Sequence, residues 1–410
     1  MNGMQQGSHP GQSERGRPRV LRPVAHKQRL GRADRTPLGR WFWEIDRVLV
    51  MLVLVLVAIG LVSVAAASPA SARRYSDLTH IIAPLHYFWR QVVWLVIGLP
   101  LMFMTSLLPK DRARRMAIYV GLFCLLMMFA IPLAGTEANG ARRWINLAGF
   151  QFQPSEFLKP AYVVAMAWLL SLRNLDRTLP VMRISAVVTA IIAVLLMLQP
   201  DFGQTVIFAG IWMVLMMLAG ISARVIGVLV GLGVAAVVSA YVLYSVARNR
   251  INAFLFGEGD DYQVQAAHNA ITNGGFFGTG PGGGEAKFRL PEAHTDYIYS
   301  VIGEEFGLIS CIAVALLYAA IVVRVFVRLL DEEDDFVLLA SAGLATQFGL
   351  QAVINIAVNV GLAPSKGMTL PFISYGGSSM IAVSAGFGLL LAFTRRNPAA
   401  KRSPYIVTRT

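Results

Sequence analysis

The chain has 410 residues, 56% hydrophobic and 14% charged, with a mean hydropathy of +0.58. Soluble domains are about a quarter charged, so this composition excludes an ordinary soluble enzyme and points to apolar blocks of about 20 residues that cross a bilayer. The net charge of +13 does not indicate nucleic-acid binding: much of it lies between Arg15 and Arg40 and the rest mostly in short loops, the distribution that orients a membrane protein.

Residues 1–40 read as a basic, flexible cytoplasmic tail suited to anionic lipid. The apolar block 48–66 runs into Ala-Ala-Ala-Ser-Pro-Ala-Ser-Ala (65–72), which resembles a signal-cleavage site. About 40 residues precede that block, and its apolar run exceeds the roughly 7–15 residues of a signal core. It is therefore expected to remain as a first helix, with Trp41, Phe42 and Trp43 at the interface. Ten spans are predicted, at 43–65, 88–108, 115–134, 155–171, 181–199, 202–219, 222–246, 298–325, 336–360 and 377–394. Basic connections at Lys110–Arg115, Arg173–Arg183, Arg224 and Arg395–Arg402 share one side with the tail, which makes that side cytoplasmic. The acidic cluster Asp331–Asp335 falls there too, but carboxylates weigh little in orientation. The expected fold class is an all-α polytopic membrane protein of about ten transmembrane helices, both termini cytoplasmic. Parity then places 135–154, 199–201, the large loop 247–297 (between helices 7 and 8) and 361–376 outside. Cys124 and Cys311 lie in apolar blocks and read as buried thiols; no metal or disulfide spacing is present.

The loop carries Gly-Gly-Phe-Phe-Gly-Thr-Gly-Pro-Gly-Gly-Gly (274–284), then Lys287, Arg289 and Leu-Pro-Glu-Ala-His-Thr-Asp (290–296). Gly278, Gly280 and Gly283 match a dinucleotide fingerprint only formally, because no strand–turn–helix surrounds them, so a structural loop is the favoured reading. Two readings stand for Asp296: a first-turn or capping carboxylate, which spacing alone favours, and a general base at the membrane surface. Glu304 and Glu305 lie at a depth where charges are paired or functional, and His294 reads as a loop hydrogen-bonder. In Gln-Pro-Ser-Glu-Phe-Leu-Lys-Pro (153–160), Pro154 suits a first helical turn, and Glu156 and Lys159 share one face. For Lys159, snorkelling or pairing stands level with a functional role. Asp201, in a tight turn, reads as structural; Lys366 reads as a phosphate ligand in its sharper interpretation. Arg142, Arg143, Lys159, Lys287, Arg289 and Lys366 together suit an anionic, phosphate-bearing ligand, with Glu156 and Asp296 as carboxylates.

Three segments resemble the SEDS family of bacterial cell-wall proteins: Gly-Ala-Arg-Arg-Trp-Ile (140–145) with Gln-Pro-Ser-Glu-Phe-Leu-Lys (153–159), Leu-Pro-Glu-Ala-His-Thr-Asp-Tyr-Ile-Tyr-Ser-Val-Ile-Gly-Glu-Glu (290–305), and Leu-Pro-Phe-Ile-Ser-Tyr-Gly-Gly-Ser-Ser (370–379). They occur in the family's order, and the resemblance covers roughly 41–396, leaving the tails 1–40 and 397–410 outside it. Pro-Ser-Lys-Gly-Met-Thr-Leu-Pro (364–371) is similar to the division branch; the elongation branch tends to have Thr where Lys366 stands. The stretch Gly-Pro-Gly-Gly-Gly (280–284) departs from the commonest loop pattern.

The resemblance implies a peptidoglycan glycosyltransferase of the bacterial inner membrane, polymerising lipid II during septal wall synthesis and releasing undecaprenyl diphosphate with inversion. It implies that Asp296 activates the acceptor hydroxyl, and that Glu156 and Lys159 line the same cavity. Lys159, Arg143 and Lys366 are assigned to the diphosphate, with Lys287 and Arg289 as further substrate-binding cations. No cofactor is demanded; a divalent cation, Mg²⁺ or Mn²⁺, is the one that would share in neutralising the diphosphate. The implied partners are lipid II, a cognate class B penicillin-binding protein transpeptidase (FtsI-like) and other division-site membrane proteins, not nucleic acid. The alternatives are a lipid II flippase, an elongation-type polymerase and a non-catalytic scaffold. Charges clustered at helix ends, rather than along a path through the midplane, favour the enzyme.

Overall fold

The computed structural model describes residues 37–76, 81–138, 141–147, 150–176, 178–243, 245–256, 262–364 and 367–396. The tail 1–36, the segment 397–410 and Lys366 lie outside the described residues. One compact unit spans Ile45–Arg396; the short helix α1 (Pro37–Glu44), with the three predicted interfacial aromatics, lies outside that unit.

Each predicted span coincides with a helix. These are α2 (Arg47–Tyr75), α3 (His86–Ser106), α4 (Lys110–Ala134), α5 (Pro154–Leu175), α6 (Val181–Leu198), α7 (Phe202–Leu218), α8 (Ala223–Leu243), α11 (Ile298–Leu329), α12 (Asp335–Asn359) and α13 (Gly377–Phe393). Among the described residues, seven helices are long and apolar enough to cross a membrane, which makes the protein polytopic. The helix α2 runs ten residues past its predicted end at 65; Ala67, Ser68 and Ala70–Ala72 of this extension are buried, and Ser71 reaches a partner in the 290–296 segment. At its start Asp46 caps the helix, accepting from Val48 and Leu49 N–H, and also takes Arg324 at 3.0 Å and Arg328 at 2.7 Å from α11. The helix α12 is the most buried of the candidate spans and packs against α5, α7, α11 and α13.

One connection corrects the all-α expectation, and another corrects the expectation of a long loop. Residues 136–152 form a three-stranded antiparallel sheet, β1 (Thr136–Ala138), β2 (Ala141–Leu147) and β3 (Phe150–Phe152), with Thr136 opposite Trp144 and Ile145 opposite Phe152. Arg-Arg-Trp-Ile-Asn-Leu is rich in residues that favour a pleated surface, and strand pairing satisfies backbone groups that a bare loop would leave open. The large loop is not loop throughout: α9 (Ser245–Phe256) and α10 (Tyr262–Gly274) fill its first half.

The glycine run is a strap across a broken helix. Gly307, at φ 80° and ψ 175°, interrupts α11 and withdraws the usual partners from nearby backbone groups. Thr279 and Gly280 donate their N–H to the carbonyls of Glu304 and Glu305 at 2.9 and 3.1 Å, while Leu308 N–H reaches Gly275 O at 2.9 Å and Ile309 N–H reaches Phe276 O at 3.4 Å. The two glutamates finish the job: Glu304 accepts Ala286 and Lys287 N–H at 2.6 and 2.8 Å, and buried Glu305 pairs with Lys287 Nζ. A Cβ on Gly307 would collide with the Phe276 backbone, whereas one on Gly280, also at positive φ (91°), would meet open space. Both alanine substitutions carry a left-handed backbone cost of about 1–2 kcal/mol; Gly307→Ala adds the collision. Gly307→Ala is expected to lower the melting temperature in detergent clearly more than Gly280→Ala, and equal shifts would refute the strap.

Candidate active site at the loop-bearing helix ends

Gln153-Pro154 opens α5 and sets Glu156 and Lys159 on one face, three residues apart. Both are buried, at 5% and 1% exposure, where an unpaired ion costs several kcal/mol. They are therefore bonded thoroughly: Lys159 Nζ lies 2.9 Å from Glu156 Oε1 and 3.1 Å from Gln351 Oε1, and Gln204 Nε2 donates to Glu156 Oε1 at 2.6 Å. Burial thus gives Lys159 a paired role, which snorkelling does not describe.

Asp296 is not a helix cap. Tyr297 occupies the N-cap of α11, and its own side chain makes no capping bond. Instead the Asp296 carbonyl accepts from Asn355 Nδ2 and Asn359 Nδ2, both at 2.9 Å. The residue is half-buried, and its carboxylate faces the chain at Gly367, where a Cβ would stand 3.2 Å from Oδ2. Among the described residues, no hydrogen-bond donor engages that carboxylate. Desolvation by the surrounding protein, then the Glu292 charge, push its pKa up to about 8; Arg143 pulls it down, and Asp201 and Glu156 push it up. Glu292, Arg143, Asp201 and Glu156 therefore share one electrostatic neighbourhood with Asp296.

Arg143 reaches it from β2. Its Nε donates to Gln199 O at 3.0 Å, its Nη2 to Pro200 O, and Nη1 stands 3.8 Å from Asp201 Oδ2. Asp201 itself caps α7 through Gln204 N–H at 3.3 Å, in keeping with a structural reading; burial raises its pKa against the pull of Arg143. Other predicted residues are placed elsewhere. The Lys287 ammonium is 2% exposed and spent on Glu305, so the loop's own folding consumes the charge expected for phosphate. Arg289 and Arg142 are exposed, and Lys366 falls outside the described residues. His294 sits among Tyr75, Tyr87 and Tyr375, with Nδ1 2.8 Å from Ser71 Oγ, and burial lowers its pKa to about 4, so it is neutral near pH 7. Among the described residues, no group of three or more His, Cys, Asp or Glu is placed to hold a metal ion.

The sequence segments that stood out are joined here. Tyr375 N–H donates to His294 O at 2.9 Å and Ser374 Oγ to Thr295 O at 2.6 Å, knitting 370–376 to 290–296. Gln153 N–H donates to Ser378 Oγ at 3.3 Å, bringing in the start of α5. The connecting residues Gln351, Asn355 and Asn359 were missed in the sequence; their signal is four amides, from Gln347 to Asn359, at spacings of four in an apolar helix.

A profile of the FtsW/RodA/SpoVE family, described as cell cycle protein, matches residues 46–398. The chain belongs to this family. A relative named probable peptidoglycan glycosyltransferase FtsW, from Caulobacter vibrioides, is 40% identical over 90% of this chain and 94% of its own; one of the same name from Trichlorobacter lovleyi is 36% identical over 84% and 91%. Of solved family structures, a peptidoglycan synthase complex described as coordinating polymerization and crosslinking matches with a TM-score of 0.68 at 31% identity, covering 85% of this chain and 97% of that one. The rod shape determining protein RodA of Thermus thermophilus matches at 0.61 and 30%, covering 85% and 96%.

The buried Glu156–Lys159 pair makes a prediction separable from catalysis. Glu156→Leu strands an ammonium and should cost about 3–5 kcal/mol, whereas the double change Glu156→Leu with Lys159→Met should recover most of that loss. Denaturation of both variants in detergent checks this; equal stability of the two would mean that the pair is not coupled.

Proposed function

We propose that this protein is a peptidoglycan glycosyltransferase that polymerises lipid II on the outward side of the bacterial inner membrane, at the division septum. The observation that carries the reading is Asp296: a half-buried residue whose carboxylate has no engaging donor among the described residues and whose pKa is raised to about 8, within the field of Arg143, Asp201 and Glu156. A base is most useful when its pKa lies near the operating pH. In the proposed step, Asp296 takes the proton of the 4-hydroxyl of one lipid-linked disaccharide as that oxygen bonds to the anomeric carbon of another. The anomeric bond to diphosphate breaks, undecaprenyl diphosphate leaves, and configuration inverts. Arg143 and Lys159, with Lys366, supply positive potential for the leaving diphosphate, although Arg143 and Lys159 are each already partnered by a carboxylate. Lys287 is left out because Glu305 consumes it. Ten spans with both termini cytoplasmic give this geometry its outward orientation. The septal assignment is supported by the FtsW names of the relatives, and a class B penicillin-binding protein partner by the likeness to a synthase complex.

Purified protein with its transpeptidase partner, given lipid II in detergent, should produce glycan chains on a gel. Asp296→Asn should reduce the rate by about 10²–10⁴-fold. Transport of lipid II across proteoliposomes with no polymer under any condition would support the flippase instead. For the native protein, kcat/KM should rise with pH and level above about 8, because the free base must first lose its proton.

The same pKa sets a stability trend. A carboxyl whose folded pKa is raised binds its proton more tightly in the folded state, so native stability should fall as pH rises from about 4 to about 8. Asp296→Asn cannot ionise and should melt above the native protein at pH 9; a lower melting point there would contradict the raised pKa.

A further inference from the structure

The base and the buried lysine come from different parts of the chain, yet one helix holds both. On α12, Gln351 Oε1 accepts from Lys159 Nζ at 3.1 Å, while its Nε2 donates to Thr369 O at 3.0 Å. One turn on, Asn355 Nδ2 donates to Asp296 O at 2.9 Å and to Met368 O at 2.6 Å. A further turn on, Asn359 Nδ2 donates to the same Asp296 carbonyl at 2.9 Å, and its Oδ1 accepts from Ser300 N–H and Oγ at 3.1 and 2.7 Å. Met368 and Thr369 directly follow Gly367, which approaches the Asp296 carboxylate. From Gln351 to Asn359 the helix rises about 12 Å, a fixed ruler between the lysine and the base.

We infer that α12 is the positioning element of the site: Asn355 and Asn359 fix the main chain of Asp296, and Gln351 fixes Lys159, so that one rigid helix sets base and cation relative to each other. None of the three is proposed to touch the reacting atoms. Amides in an apolar helix are costly unless bonded, and simple fold glue could spend them on any acceptor. Here the acceptors are the carbonyl of the base, given two donors, and the carbonyls beside the approach to its carboxylate. The fourth amide, Gln347, is a natural control: it is buried on the same helix, its Oε1 has no partner, and no described bond takes it to the site.

This inference rests on the glycosyltransferase reading with Asp296 as base. Its test compares Asn355→Leu, Asn359→Leu and Gln347→Leu in the full protein with its partner, measuring kcat, KM, the pH dependence of kcat/KM and melting temperature. Released from its clamp, Asp296 becomes more solvated. The Asn355 and Asn359 variants should then lose kcat by about 10²-fold with little change in KM, and their acid limb should move to lower pH. Gln347→Leu should keep native kcat and the native limb. Native kcat in both Asn variants, or a loss with the limb unmoved, would overturn the positioning role. So would an equal loss in Gln347→Leu. Should Asp296→Asn polymerise as well as the native protein, the catalytic reading itself falls; should that variant be inactive while Asn355→Leu is native, only the positioning role falls.

Discussion

Within a bilayer, every polar group must find its partner inside the protein, because hydrocarbon offers none. That constraint explains the chain's most distinctive departures from plain spans. Where Gly307 breaks α11, the 275–280 strap supplies backbone donors and acceptors on both sides of the break. Where Lys159 and Glu156 enter the interior, Gln351 and Gln204 join them. Where α11 starts without a capping bond from the Tyr297 side chain, Asn359 reaches across to bond Ser300. Each repair also links two segments distant in sequence, so satisfying the backbone and assembling the site are one process.

The resulting site is poor in free charge. Lys159 faces Glu156, Arg143 faces Asp201, and Lys287 faces Glu305. Against that background the Asp296 carboxylate stands apart, because among the described residues hydrogen bonds hold only its main chain. Keeping an unbonded carboxylate among other acids destabilises the ionised protein, which is the stability cost expected where a group is set for chemistry. A base that gains its proton easily, over a rigid main chain, suits a reaction in which an acceptor hydroxyl must be deprotonated as it attacks.

The helices were legible in the sequence because long apolar blocks are a strong signal, and Asp296, Glu156 and Lys159 because charges are rare in such a chain. The β-meander was not, since strands of 3, 7 and 3 residues fall below any hydropathy window. Lys287 looked like a phosphate ligand because spacing does not reveal a partner 18 residues away on a kinked helix. The amides of α12 were overlooked for a different reason: neutral side chains barely disturb an apolar average, and only their recurrence at four-residue intervals marks a common face. Spacing alone favoured capping for Asp296, the resemblance favoured a base, and the helix start at Tyr297 removes the capping reading.

The central claim is that Asp296 carries its proton near neutral pH and gives it up close to pH 8. Infrared difference spectra of the native protein against Asp296→Asn, recorded as a function of pH, observe that proton directly. The account predicts a protonated-carboxyl C=O band that belongs to Asp296 and disappears with a midpoint of about 8. A band lost already near pH 4, the ordinary range for an aspartate, would contradict it.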